Sequence, residues 1–138
     1  MVVTRRLRLR TGGDCDIINI TPEVHKELAN SGLSSGTVTV FVMGTTVSVA
    51  MIEYEAGLLQ DMKELWDRLV PRGLPYQHNI RNNDNNAHSH MRAGTQGPSL
   101  VVPFVDKALT IGTWQQIALI DFDTRPRTRD LVLQFIGE

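Results

Sequence analysis

The segment AGLLQDMKELWDRLVP, Ala56 to Pro71, decides how the chain folds. Leu58, Met62, Leu65 and Leu69 fall at helical spacing, and Leu59, Trp66 and Val70 widen their stripe. Pro71 ends the helix, because proline cannot supply the amide hydrogen that a further turn needs. A helix with so broad an apolar face needs a sheet to lie on. Trp66 therefore reads as core rather than as a platform for a ligand.

The flanking segments supply that sheet. Upstream, Thr37 to Val42 and Val47 to Ile52 are rich in β-branched residues and are separated by Gly44. Val2 to Arg10 and Asp16 to Ile20 read as two further strands on either side of a Gly12-Gly13-Asp14 turn. Arg6, Arg8 and Arg10 alternate with Leu7 and Leu9, so a strand puts leucines on one face and arginines on the other. A solvated sheet face accounts for that alternation; a phosphate-binding patch is the alternative. A first helix over about Pro22 to Asn30 has Thr21 as a cap, Pro22 at the first helical position, Val24 and Leu28 on one face, and Gly32 after its end. Downstream, Leu100 to Val105, Trp114 to Phe122 and Asp130 to Ile136 are strand-like, with a tight turn at Asp106-Lys107 before Leu109 to Ile111. Two principal helices among many strands, without regular βαβ alternation, predict a single α+β domain over residues 1–138. Its sheet is mainly antiparallel or mixed, with a sandwich-like core.

Bulk properties narrow the function classes. A chain of 138 residues can bury about two-thirds of its unfolded surface. A net charge of −1 argues against non-specific nucleic-acid binding. The one cysteine, Cys15, cannot form an intramolecular disulfide, which fits a reducing cytoplasm. The N-terminus enters charged alternation with no apolar signal core, and no apolar run approaches the ~20 residues that cross a bilayer. A soluble, cytoplasmic protein is expected. There is no G-x-S-x-G elbow, P-loop, H-E-x-x-H or C-x-x-C pair.

Chemistry concentrates in YQHNIRNNDNNAHSH, Tyr76 to His90, which holds three of the four histidines. A hydrophilic surface loop would account for its polarity, but the histidines cluster, and an apolar, glycine-punctuated motif, LTIGTWQQ from Leu109 to Gln116, follows. AHSHMRAGTQG, from Ala87, can be a short helix that stops near Gly94 or Gly97 and is capped by Asp84, Asn85 or Asn86. On a helix, residues two apart point about 200° apart, so His88 and His90 would not share a metal. On a strand they would share a face. The helix is the preferred reading; it favours His90 as the site residue and places His88 second. His78 follows Pro75-Tyr76 in a loop-like context.

Many elements, in order, carry a resemblance. They are Gly36 with TVTVFV, Thr45-Thr46, Glu53, AGLLQD ending at Asp61, LVP at Leu69 to Pro71, and Tyr76 with His78. DNNAHSHMRA from Asp84, GPS at Gly97 to Ser99, GTWQQI at Gly112 to Ile117, and DFDTRPRTR at Asp121 to Arg129 continue the series. In these the sequence resembles the YjbQ-like family, often labelled secondary thiamine-phosphate synthase. The resemblance implies a homotrimer and an enzyme joining a pyrimidine diphosphate to a thiazole phosphate. It carries over His78, His90, Glu53 and Asp84 as catalytic candidates. Thr45, Thr46, Asn86, Gly112, Thr113, Trp114, Gln115, Arg127 and Arg129 carry over as substrate or anion contacts. Where many members have a histidine before the Thr-Thr pair, this chain has Gly44. That removes one candidate ligand or base.

Each residue also has a plainer reading. Glu53 can be a solvated strand-end carboxylate, Asp61 the polar edge of its helix, and Arg125, Arg127 and Arg129 a salt-bridge face. Gly112 to Gln115 can be a bulge with a packed Trp114. The site reading is that His78 and His90 converge with Glu53 or Asp84, while Gly112 to Gln115 forms part of the wall. A divalent metal, zinc or magnesium, is a candidate cofactor, with His78 and His90 as ligands and His88 less favoured. Alternatives to the transferase are a metal-dependent hydrolase or lyase and a non-enzymatic trimeric protein that binds a small anion. The expected partner is a small phosphorylated molecule, not a nucleic acid or a membrane.

Overall fold

The computed structural model spans Met1 to Glu138. Its strands are β1 (Val2–Thr11), β2 (Asp16–Asn19), β3 (Gly36–Val42), β4 (Val47–Glu53), β5 (Ser99–Val105), β6 (Ala108–Leu109), β7 (Gln115–Asp121) and β8 (Arg127–Gly137). The helices are α1 (Thr21–Ser31), α2 (Ala56–Leu69), α3 (Gln77–Asn82) and α4 (Ala87–Gln96). Every strand pairing is antiparallel. The strands form a five-stranded sheet ordered β1-β8-β3-β5-β6 and a three-stranded sheet ordered β2-β7-β4.

Side-chain alternation assigns the layers. Val47 and Val49 of β4, with Ile117 and Leu119 of β7, join Val38, Val40, Leu131, Leu133 and Phe135 in a core between the sheets. Ala50, Ala118 and Ile120, one position out of phase, face away into a second core with Trp66, Ala93 and Phe122. The three-stranded sheet is thus covered on both faces, which explains why Ile117 to Ile120 reads as an unbroken apolar run. Val24 and Leu28 of α1 complete the inter-sheet core. Leu7 and Leu9 are half-buried while Arg6, Arg8 and Arg10 are exposed, the alternation expected of β1.

Neither early pair of strands is a hairpin. β1 pairs with β8 and β2 with β7, so the chain passes from one sheet to the other through Gly13, Asp14 and Cys15 at φ 69°, 53° and 63°. A Cβ on Gly13 would meet the Arg125 carbonyl oxygen at 2.3 Å, so this crossing requires glycine. Asp106 and Lys107, at φ 50° and 65°, make the predicted tight turn between β5 and β6, though the strand after it stops at Leu109.

The helices depart from expectation in detail. Thr21 does not cap α1. Its hydroxyl accepts from the Ile117 amide at 2.8 Å and ties the helix start to β7, while Gly32, at φ 78°, closes the other end. Glu55 caps α2 by accepting from the Gly57 and Leu58 amides. These two backbone hydrogen bonds hold its carboxyl below the ordinary range. Trp66 is core, edge-on to Phe122 with ring centroids 5.1 Å apart. The rest of the α2 stripe is less covered than its breadth suggests: Leu59 and Met62 are half-buried, and Leu69 is 65% exposed. No helix is long and apolar enough to cross a membrane.

Candidate functional site

The polar stretch folds into helices. His78 lies on α3 rather than on the loop its context suggested, and His88 and His90 lie on α4. Asn79 aligns the two helices: its side-chain oxygen accepts from the Ala87 amide at 2.9 Å and lies 3.2 Å from His78 Nδ1. The His78 and His90 rings come together, with centroids 4.7 Å apart and planes inclined by 47°. Both residues are partly exposed. His90 also lines an open cavity of about 310 Å³ with Gly44, Thr45, Val47, Ala93 and Gly94. That volume lies at the small end of the range for ligand pockets.

His88 turns the other way. It is 2% exposed, its Nδ1 has no partner, and Ser89 Oγ lies 3.5 Å from Nε2. Burial, reinforced by the positive charges of Arg92 and Arg72, holds its pKa below the usual histidine range. Asn86 occupies the N-cap position of α4 without capping it, and its side-chain oxygen is buried without a partner. Asp84 is exposed, with a carboxylate oxygen accepting from the Asn85 amide at 2.7 Å. It does not cap α4 either.

Glu53, Thr113 and Trp114 lie elsewhere. They line a second cavity of about 280 Å³ with Asn19, Tyr54 and Gln116. Glu53 ends β4, whereas the His90 cavity lies at the start of that strand, about 20 Å away along it. Within one chain Glu53 and the GTWQ turn therefore do not join the histidines. Gln115 closes this turn by accepting from the Gly112 amide at 2.7 Å. Trp114 is 73% exposed instead of packed. Asp61 stays on the exposed edge of α2.

Arg127 and Arg129 belong to an ion-pair cluster. Arg129 donates from Nε and Nη2 to the two carboxylate oxygens of Asp121, at 2.7 and 2.9 Å, and from Nη2 to Thr46 Oγ1 at 2.7 Å. Arg127 donates to Asp123 at 2.7 Å, and Thr46 donates to the same carboxylate at 3.0 Å. Burial pushes the Asp123 carboxyl up, but hydrogen bonds from the Thr124 amide, Arg127 and Thr46, with the Arg127 charge, prevail and hold it below the ordinary range. Thr11 adds a hydrogen bond to Asp121 at 2.5 Å. Arg127 and Arg129 are thus largely committed to carboxylates. Thr46 is buried among them while Thr45 faces the cavity.

Asp121, Asp123 and Asn79 hold the site's neighbourhood together without being candidates on sequence grounds. The D-x-D spacing in DFDTRPRTR, matched by R-x-R, was the available signal for the first two. Asn79 had none, since its role depends on how two helices meet. The donor set within one chain does not build a catalytic zinc centre. No group of three His, Cys, Asp or Glu side chains is placed to hold an ion, and zinc takes three protein ligands at a catalytic centre.

Two antiparallel sheets backed by helices, with His90 in the wall of a small cavity and His78 against it, define an α+β protein. The chain belongs to the UPF0047 protein YjbQ-like family, which matches residues 5–138. It is 38% identical over 128 residues to a UPF0047 protein of Archaeoglobus fulgidus, covering 93% of this chain and 97% of the relative. It is 36% identical over 137 residues to one of Methanothermobacter thermautotrophicus, covering 99% and 94%. The fold matches a crystal structure of a YbjQ-like protein of unknown function from Sulfolobus solfataricus with a TM-score of 0.94 at 28% identity, covering 100% of this chain and 99% of the other. A hypothetical protein from Aeropyrum pernix gives 0.91 at 33% identity, covering 99% of both chains.

Proposed function

We propose that this protein acts on a small phosphorylated molecule held between the Gly44-Thr45 turn and α4, with His78 and His90 moving the proton. The observation that carries this reading is the pair of imidazoles 4.7 Å apart, one of them in a cavity wall. Imidazole is the side chain suited to exchanging protons near neutral pH, and two in contact can hold donor and acceptor together. Thr45, which carries a hydroxyl, lines the same cavity with Gly44 and Gly94.

The finer reading is a transferase of the thiamine-phosphate synthase kind, supported by the family resemblance. The thiazole nitrogen attacks the methylene carbon of the pyrimidine diphosphate. An N–C bond forms, the C–O bond breaks, and pyrophosphate leaves with the electron pair. A histidine proton on the leaving oxygen favours that departure, and no redox partner is needed. A cavity of about 310 Å³ suits one substrate better than both. A homotrimer fits this reading, because a neighbouring copy offers a way to bring Glu53 and Trp114 to the histidines. Met43, Ile80 and Met91, each next in sequence to a group around the site or two residues from it, are exposed apolar side chains suited to such a boundary. A monomeric mass by light scattering would count against the trimer. The reading carries a cytoplasmic location with it.

The test is rescue of a thiamine auxotroph, together with pyrophosphate release by the purified protein from the two substrates. Both should occur with the unaltered protein and be lost in a folded His90→Ala variant. Absence of rescue and release removes the transferase reading. A folded variant that retains both removes the histidine site.

A further inference from the structure

Arg129 is not fully used by its ion pair. Its Nε–H and the two Nη2 hydrogens are directed to Asp121 and Thr46, whereas Nη1 has no acceptor within the chain. Nor is Nη1 sealed away. The buried side-chain polar atoms that lack a partner are in Glu23, Trp66, Asn86 and His88, so this nitrogen retains contact with solvent even though Arg129 is only 8% exposed. The Asp121 carboxylate grips the guanidinium in two-pronged fashion and fixes its plane, so the Nη1 hydrogens point in a set direction.

That direction is marked by Gly44. A Cβ at position 44 would lie 2.9 Å from Arg129 Nη1 and 2.9 Å from Val47 Cγ1. Gly44 and Val47 both line the His90 cavity, beside Thr45. Arg129 is not itself in the cavity wall; Nη1 lies behind Gly44, and any side chain at position 44 would come between the two. The Gly44 φ of +144° also disfavours any other residue there.

We propose that Gly44 is an aperture through which Arg129 Nη1 donates to an oxyanion of the ligand, making Gly44 and Arg129 specificity-determining residues of the His90 cavity. This rests on the cavity being the ligand site and deepens that reading by assigning a terminal phosphate or diphosphate oxygen to a particular donor. Asp121 and Asp123 offset the formal charges of Arg129 and Arg127, so attraction comes from aimed N–H groups more than from net charge. The oxyanion is held by a short, charge-assisted hydrogen bond, with the Thr45 hydroxyl alongside.

The experiment is a titration of the intact protein with inorganic pyrophosphate, followed by NMR at the arginine guanidinium and histidine ring nitrogens and by calorimetry. In the unaltered protein the Arg129 and His90 signals should shift together. A folded Gly44→Ala variant should bind pyrophosphate at least tenfold more weakly, because its methyl group covers Nη1. If His90 responds and Arg129 does not, the aperture is overturned and the cavity reading stands. If neither responds, both are overturned. Equal affinity in folded Gly44→Ala also overturns the aperture. Should that variant fail to fold, the Arg129 signal in the unaltered protein decides alone.

Discussion

His88 and His90 lie two residues apart on α4 and have opposite environments, as a helical step of about 200° requires. His90 reaches the cavity, while His88 sits 2% exposed with one ring nitrogen unpartnered. The buried imidazole favours its neutral form, and its depressed pKa makes folding pH-dependent. Below the unfolded value of about 6.5, the unfolded chain takes up a proton that the folded one resists. The His88 contribution is therefore complete above about pH 6.5 and is lost as pH falls towards the folded value, by up to about 1.4 kcal/mol per pH unit. Thermal unfolding between pH 7.5 and 5.5 should show this slope, and His88→Leu should flatten it. Equal slopes in the two proteins would mean that His88 protonation is not linked to folding. Cys15 shows the same effect with opposite sign. Burial pushes its thiol up to about 11, so it stays protonated and is a poor nucleophile at neutral pH.

Between α2 and α4 the contact is polar as well as apolar. Arg92, 1% exposed, donates from Nε and Nη2 to the Val70 carbonyl at 3.1 and 2.8 Å, and from Nη2 to Asp67 at 3.1 Å. A cation at the C-terminal end of α2 also meets the negative end of its helix dipole. Arg92→Met keeps much of the apolar stem but leaves the Val70 carbonyl without these donors, so a loss of about 1–3 kcal/mol is expected in denaturant unfolding. No change in midpoint would show that solvent replaces the guanidinium freely. The strands, α1, α2 and the helical form of α4 follow from periodicity and end signals. Gln77 to Asn82 has no apolar face, so the pattern that identifies α2 gives no signal for α3. Pairing is also hidden: nothing in β1 or β2 says that neighbours in sequence belong to different sheets. His78 and His90 were legible as a cluster. The separation of Glu53 from them was not, because it depends on where β4 begins and ends in space.

At the scale of the whole molecule, one polar cluster fastens the two sheets at one end of an otherwise apolar interface. Thr11 ends β1 and Arg129 lies on β8 in the five-stranded sheet, while Asp121 ends β7 and Thr46 precedes β4 in the three-stranded sheet. Asp121 is fully buried and Arg129 nearly so, so each charge depends on the other. Removing one partner strands a buried charge, which costs about 3–5 kcal/mol, whereas replacing both with apolar residues of similar size is often close to neutral. Asp121→Asn should therefore lower stability in urea by about 3–5 kcal/mol. The pair Asp121→Leu with Arg129→Met should lose less than Asp121→Asn alone. Asp123 adds an acid limit. Its carboxyl is held below the ordinary range, so its contribution is present above an unfolded pKa of about 3.9 and fades as pH falls through the lower folded value. This window lies well below that of His88, so a pH series separates the two. A double variant as unstable as the single would contradict the account of the cluster as a mutually dependent pair, because the loss would then come from packing around the cluster rather than from an abandoned charge.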